Sequence, residues 1–355
     1  MSYIPVRPDP SLPPVTANLY SDTQTRPTPA MLDAMKSAET GDEQHGDDPT
    51  VWALCDRMAA LLGKEAAVFL PSGTMCNVVA LLVHCRPGDE VLAHRLAHII
   101  TSEHGNHAAL GGIMMNPLEG ARGLFDVAAV EAALRPRSRY APPQKLLEVE
   151  QTANLGGGVV WPQSQLDAVL ARAHEAGLAT HMDGARLMNA VVAAGIPAAE
   201  MAAGCDSVWV DFTKGLGAPL GAVLAGSTEF ISEAWRWKQR LGGSMRQGGV
   251  SAAACLYALD HNIDRLAEDH TNARTLARGL AQLPGLKVEQ PDTNLVFFDP
   301  RGAGLTADEF ADAMRLEGVM VSTLAGRVRA CTHLDVSAAQ IELALAAARK
   351  VCAAV

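Results

Sequence analysis

Short apolar runs alternate with helix-spaced segments along most of this chain, and few folds accommodate that pattern. Residues 66–71, 90–93, 145–150, 178–182, 207–212 and 222–225 read as strands. Between them lie helix candidates over 74–85 and 165–176; the latter places Leu166, Val169, Leu170 and Ala173 on one face and stops at Gly177, a C-cap residue. Strands buried on both faces and joined by helical crossovers produce this alternation, so the expectation is an α/β fold with a largely parallel sheet. After a helical stretch over 252–283 the character changes. Short strands over 286–290, 294–299, 319–322 and 327–332 alternate with helices over 307–317 and 338–354, predicting a second, α+β domain.

The chain has 355 residues, more than one typical domain. The expected division is a Pro-rich extended arm over 1–18, a large domain over 19–255 and a small domain over 256–355. Hydrophobic residues at 48% and charged residues at 19% suit a soluble chain with a large core. A formal net charge of −10 argues against nucleic acid or an anionic membrane as partner, so any anionic ligand must be held by local groups. No basic leader precedes an apolar stretch and no run is long enough to span a bilayer, which points to a cytoplasmic protein. Seven cysteines, odd in number and without a C-x-x-C pair, read as reduced thiols, most of them inside apolar stretches.

Two strand ends carry the chemistry. His181-Met182-Asp183-Gly184-Ala185-Arg186 delivers a carboxylate, and Asp211-Phe212-Thr213-Lys214-Gly215-Leu216-Gly217-Ala218-Pro219 delivers a lysine. That pairing suits pyridoxal phosphate: Lys214 forms a Schiff base with the cofactor aldehyde, and Asp183 keeps the pyridine nitrogen protonated. Ser72-Gly73-Thr74-Met75 sits between a strand and a helix start, where it is either a simple N-cap or, beside a Schiff-base lysine, a phosphate cup. His94, His98, His104 and His107, with Glu103 among them, have spacings that require a metal site to be weighed. No H-E-x-x-H, cysteine or second carboxylate completes a standard site, so no metal is expected. His98, just past a strand end, is the candidate to cover the cofactor ring and the first choice of base, ahead of Glu103 and Tyr140. Arg186 and Arg329 offer planar forks for a carboxylate. Residues 242–249, glycine-rich around Arg246, read as a flexible loop or a phosphate clamp. The acidic stretch 41–50 reads as a solvated loop or as a turn leading into a helix over 51–62.

In this order the motifs resemble those of the L-threonine aldolases, pyridoxal phosphate enzymes of the aspartate-aminotransferase fold grouped with the β-eliminating lyases. The resemblance runs from Leu19-Tyr20-Ser21-Asp22-Thr23-Gln24-Thr25-Arg26-Pro27-Thr28 through the acidic loop, the Ser72 and His98 regions and both strand-end motifs. It continues through Met245-Arg246-Gln247 to Arg329 and Thr332-His333. It implies fold type I, with a mostly parallel seven-stranded sheet in the large domain, and a homotetramer built from dimers with active sites at the dimer interface. It further implies Lys214 as the Schiff-base lysine, Asp183 at the ring nitrogen and His98 stacked on the ring. Ser72, Gly73 and Thr74 take the phosphate, with Arg246 serving it across an interface, and Ser21, Arg186 and Arg329 bind the substrate carboxylate. The implied reaction is retro-aldol cleavage of a β-hydroxy-α-amino acid to glycine and an aldehyde. A β-eliminating lyase, a transaldolase or an aminotransferase on the same scaffold, and a non-catalytic binding protein of this fold, are the alternatives.

Three positions depart from the family pattern. His45 stands where tyrosine is common, Tyr140 where a histidine is frequent, and Glu150-Gln151-Thr152-Ala153 replaces E-N-T-H. In the family all three positions map near the side-chain end of the substrate, so the resemblance implies phenylserine or another bulky β-hydroxy amino acid as a candidate beside threonine and allo-threonine.

Overall fold

The computed structural model describes residues 4, 7 and 9–354. Residues 1–3, 5, 6 and 8 of the expected arm lie outside the described residues. Two compact units divide the chain: Thr23–Glu268 forms one, and Met1–Asp22 with Asp269–Val355 forms the other. The expected boundary at 255/256 falls inside the helix Gly249–His261, whose Ala252, Ala254, Cys255 and Ala258 are buried in the core of the larger unit. A division there would cut through that core. The end of the expected arm is not free either: Ala17–Asn18 pairs in parallel with Val319–Met320.

The larger unit is built on seven strands: β1 (Ala66–Leu70), β2 (Glu90–His94), β3 (Met114–Leu118), β4 (Gln144–Glu150), β5 (Ala179–Gly184), β6 (Ser207–Asp211) and β7 (Ala222–Gly226). Their order across the sheet is β1-β7-β6-β5-β4-β2-β3. β7 pairs antiparallel with both β1 and β6, and the other pairings are parallel. The strands β1, β2, β4, β5 and β6 therefore end at one edge, the place where open α/β sheets bind ligands. One sheet face carries Leu92, Leu147, Val149, Met182, Val208 and Val210 into the main core. The opposite face packs Trp209, Val68 and Leu224 against the helix Gly73–His84.

The helix Gln163–Glu175 buries the four apolar residues expected of it, and Gly177 follows with φ +77°. The stretch 98–111 is not one helix. Left-handed His104 (φ 56°) and Gly105 (φ 71°) break it, leaving His98–Thr101 and Asn106–Gly111. The helical region after residue 248 likewise divides into Gly249–His261 and Leu266–Leu280.

In the smaller unit an antiparallel sheet runs Ser322–Leu324, Arg327–Cys331, Leu295–Asp299 and Lys287–Val288 in order. The helices Ala307–Leu316 and Ala338–Ala353 each start with a capping box, Thr306 with Glu309 and Ser337 with Gln340. Its core joins Val296, Phe298, Phe310, Val328, Ile341 and Leu345. All seven cysteines are free; six are buried and Cys352 is half-buried. Burial pushes the thiols of Cys55, Cys85 and Cys205 up to about 12, which makes them inert. Among the described residues no helix is long and apolar enough to cross a membrane.

Candidate active site

At the shared strand edge, β5 ends in Asp183-Gly184, and β6 ends in Asp211, three residues before Lys214. Asp183 lies opposite Trp209 in the ladder, so the two side chains share the face covered by the helix Gly73–His84. Asp183 is only 1% exposed. Its Oδ1 accepts the Ala185 N–H at 3.0 Å, and its Oδ2 accepts from Asn77 Nδ2 at 2.8 Å. Lys214 is half-buried, and its Nζ pairs with the Asp211 carboxylate and lies 5.7 Å from the centre of the Trp209 ring. Asp211 is held in turn by the Thr213 N–H at 2.8 Å and hydroxyl at 2.7 Å. Thr25 donates its hydroxyl to the Lys214 carbonyl at 2.9 Å.

Ser72 caps the helix Gly73–His84, accepting from Met75 N at 3.3 Å. Gly73 is obligatory there, because a Cβ would stand 2.2 Å from the Trp209 ring. His98 begins the short helix after β2. Its N–H reaches Glu150 Oε2 at 3.2 Å, and its ring Nδ1 bonds Glu103 Oε1 at 2.8 Å. Glu103 is enclosed by donors: Asn77 Nδ2 reaches Oε1 at 2.7 Å, and Asn106 Nδ2 reaches Oε2 at 2.8 Å. His98, Glu103 and Asp183 offer ligand atoms within 4.8 Å of one another. The Asn77 amide points N–H groups at both carboxylates, and the third member already bonds Glu103. Hydrogen bonds link all three: Asn77 joins Asp183 to Glu103, and Glu103 holds His98.

Burial raises the Asp183 carboxyl above its ordinary value, against the lowering effects of His98, the Asn77 hydrogen bond and Lys214. Burial and the Asp183 charge push Glu150 up to about 7. Glu148, fully buried with neither carboxyl oxygen partnered, is raised well above the carboxylate range by burial and by its acidic neighbours. Burial also opposes charge on His98, yet the bond to Glu103 and the charges of Asp183, Glu103 and Glu150 outweigh it, and its pKa is raised.

Arg186 is buried, with Nη1 3.4 Å from Asn154 Oδ1 and its N–H bonded to the Gln151 carbonyl at 3.2 Å. His45 is exposed at the end of the turn Glu43–His45. The acidic stretch around it is not simply solvated. Glu43 is buried and ion-paired with buried Lys238, and its Oε2 accepts Met245 N at 2.8 Å. Asp48 caps the helix Pro49–Leu62 through Val51 N at 3.0 Å and also takes Gly249 N at 2.9 Å. Arg246 pairs with Asp42 at 2.8 Å, so the acidic and glycine-rich loops are fastened to each other. Tyr140 is 82% exposed, with the Arg139 guanidinium 4.7 Å from its ring centre. Ser21 and Arg329 belong to the smaller unit, where Ser21 is buried. There Arg329 Nε bonds Ser322 Oγ at 3.1 Å and Nη2 bonds the Tyr20 carbonyl at 3.2 Å.

Within the larger unit the fold thus brings together Asp183, His98 and Lys214, with Ser72–Thr74 at the same sheet edge. It adds Asn77, Glu148 and Trp209, which belong to no motif, and gives partners to Glu150 and Asp211, which stand in the motifs above without a role. Asn77 is the one amide in the otherwise apolar stretch of helix between Cys76 and Val83.

Known proteins resemble this chain over most of its length. The β-eliminating lyase family model matches residues 18–303. A low-specificity L-threonine aldolase of Escherichia coli (strain K12) is 43% identical over 325 residues, 91% of this chain and 96% of that protein. A probable low-specificity L-threonine aldolase of Arabidopsis thaliana is 39% identical over 345 residues, covering 95% and 97%. Among solved structures, a putative L-allo-threonine aldolase from Listeria monocytogenes superimposes with a TM-score of 0.79 at 25% identity, covering 95% of this chain and 96% of that one. A threonine aldolase from Leishmania major shares the fold with a TM-score of 0.81 at 23% identity, covering 95% and 99%. With the family model spanning most of the chain and close relatives matched nearly end to end, the chain belongs to the L-threonine aldolase family of the β-eliminating lyases.

Proposed function

We propose that this protein is a carbon–carbon lyase that cleaves L-β-hydroxy-α-amino acids to glycine and an aldehyde, with pyridoxal phosphate as cofactor. One observation carries the reading: a lysine and a buried carboxylate stand at the ends of adjacent parallel strands, Lys214 after β6 and Asp183 on β5. The donor set fits the cofactor. Lys214 offers a primary amine for the aldehyde, Asp183 a buried acceptor for the ring N–H, and the capped start of the helix Gly73–His84 offers free N–H groups for the phosphate. Buried Gln151 Nε2 and Thr152 Oγ1, directly after β4, have no protein partner.

When bound, pyridoxal phosphate supplies an aldehyde that links covalently to amines and an electron-poor ring that takes up the electron pair of the broken Cα–Cβ bond. Asp183 holds the proton on the ring nitrogen. Lys214 Nζ would be the amine that holds the cofactor aldehyde. Ser72, Gly73 and Thr74 bind the phosphate. Arg186 would hold the substrate carboxylate through its planar fork. His98 Nδ1 is committed to Glu103, which leaves Nε2 as the atom that takes the β-hydroxyl proton while the aldehyde carbonyl forms.

The finer assignments rest on the family resemblance. They are a homotetramer of dimers in the cytoplasm, Arg246 serving the phosphate across the dimer interface, and a pocket end shaped by His45 and Ala153 that admits phenylserine; Tyr140 precedes β4 and so lies at the opposite sheet edge from Asp183 in its own chain. Ala153 is buried, and its methyl group packs against Gly123, 2.7 Å from where a Cβ would stand there. The test is to incubate the cofactor-loaded protein with L-threonine, L-allo-threonine and L-phenylserine and to identify the products. Glycine with acetaldehyde or benzaldehyde is expected. Keto acid with ammonia identifies a β-eliminating lyase instead.

A further inference from the structure

We propose that Asn77 is the positioning residue for Asp183 and His98, and that a one-way chain of neutral hydrogen bonds from His84 through Ser207 and His181 holds it in place. The inference rests on Asp183 being the partner of the cofactor ring nitrogen. Asn77 is fully buried. Trp209 Nε1 can only donate, and it lies 2.7 Å from one end of the Asn77 amide, which is therefore the oxygen. The amide nitrogen must then face the carboxylates, with one hydrogen for Asp183 Oδ2 at 2.8 Å and the other for Glu103 Oε1 at 2.7 Å.

The same reasoning fixes every earlier link. His181 Nε2, 3.3 Å from that amide oxygen, must donate. His181 Nδ1 is then the acceptor and takes the Ser207 hydroxyl proton at 2.8 Å. Ser207 Oγ in turn accepts from His84 Nε2 at 2.8 Å. Both rings are neutral: burial holds His84 down to about 4, and burial with the neighbouring His84 holds His181 down to about 3. Each dipole thus presents its positive end toward Asp183 and Glu103, and such chains strengthen one another in a dry interior. Trp209 is locked by its surroundings, since Cβ atoms at Gly73 and Gly184 would meet its ring at 2.2 Å and its carbonyl oxygen at 2.1 Å. The geometry supplies Asp183 with a fixed donor that carries no charge of its own. Through Glu103, the same amide sets the nitrogen of His98 that is left free.

Asn77→Ala and Ser207→Ala test this in the cofactor-loaded protein. Pyridoxal phosphate affinity is read by fluorescence titration of the stripped protein, and the pH midpoint of the visible absorbance band is read by spectrophotometric titration. Without the Asn77 donor, Asp183 holds its own proton more tightly and the ring nitrogen less, so the lysine linkage becomes more basic. Asn77→Ala is expected to weaken cofactor binding about tenfold and Ser207→Ala about threefold, with both midpoints moved to higher pH. Ser207→Ala decides the matter alone if Asn77→Ala does not fold, because Ser207 lies three links from Asp183 and loses only a hydroxyl. Wild-type affinity and midpoint in Ser207→Ala overturn the relay. A wild-type protein that takes up no pyridoxal phosphate instead overturns the cofactor reading on which it rests.

Discussion

Replacing Lys238 by methionine tests how the two loops of the larger unit are held. The Lys238 side chain is 0% exposed and that of Glu43 is 1%, so neither charge has access to water. Nζ lies 4.2 Å from the centre of the Trp235 ring, and Glu43 also accepts Met245 N at 2.8 Å. Methionine keeps the length and apolar body of the lysine but removes its charge, leaving Glu43 buried with a backbone N–H as its remaining donor. Breaking a buried pair from one side costs about 3–5 kcal/mol, because the surviving charge is uncompensated. For a unit of this size that is a melting temperature lowered by roughly 6–20 °C. Adding Glu43→Gln removes the orphaned charge while keeping an acceptor for Met245 N, so the double variant should recover about 2 kcal/mol or more. Thermal melts of the wild type, both single variants and the double variant form a complete cycle. A Lys238→Met protein within about 1 kcal/mol of wild type, or a double variant no better than the single, would refute the reasoning.

Other consequences can be measured directly. Because the raised His98 pKa lies above 6.5 and the base must be neutral, kcat/KM should fall as pH drops through that raised value. Glu103→Gln removes a raising charge and should shift that acid limb to lower pH, and an unmoved limb argues against His98 as the base. His98→Phe should lower kcat by about 10²-fold or more while leaving the absorbance of the bound cofactor in place. Gly73→Ala drives a methyl group to 2.2 Å from the Trp209 ring, so it should lose about 2 kcal/mol of stability and weaken cofactor binding; a wild-type melting curve would show that the ring can yield.

Much of this architecture is legible in the chain because apolar runs and strand-end motifs are local signals. Asp183 and Lys214 could be placed at strand ends from the apolar residues before them. The strand Met114–Leu118 could not, since Pro117 and Asn116 argue against a strand; it forms because it lies at the sheet edge, where proline is tolerated. His104 carries no sequence mark of its left-handed backbone, whereas Gly105 beside it does. Asn77 was invisible as a site residue for a different reason. Its role depends on the register that puts Trp209 opposite Asp183 and His181 opposite Ser207, which is a property of paired strands and not of any segment alone.

The central claim is that Lys214 carries the cofactor beside Asp183. Borohydride reduction of the cofactor-loaded protein, followed by proteolysis and mass spectrometry, tests it most directly. The account predicts a phosphopyridoxyl group on the peptide containing Lys214, and no such label in Lys214→Ala. A label on another lysine, or a Lys214→Ala protein that is still labelled, would contradict it.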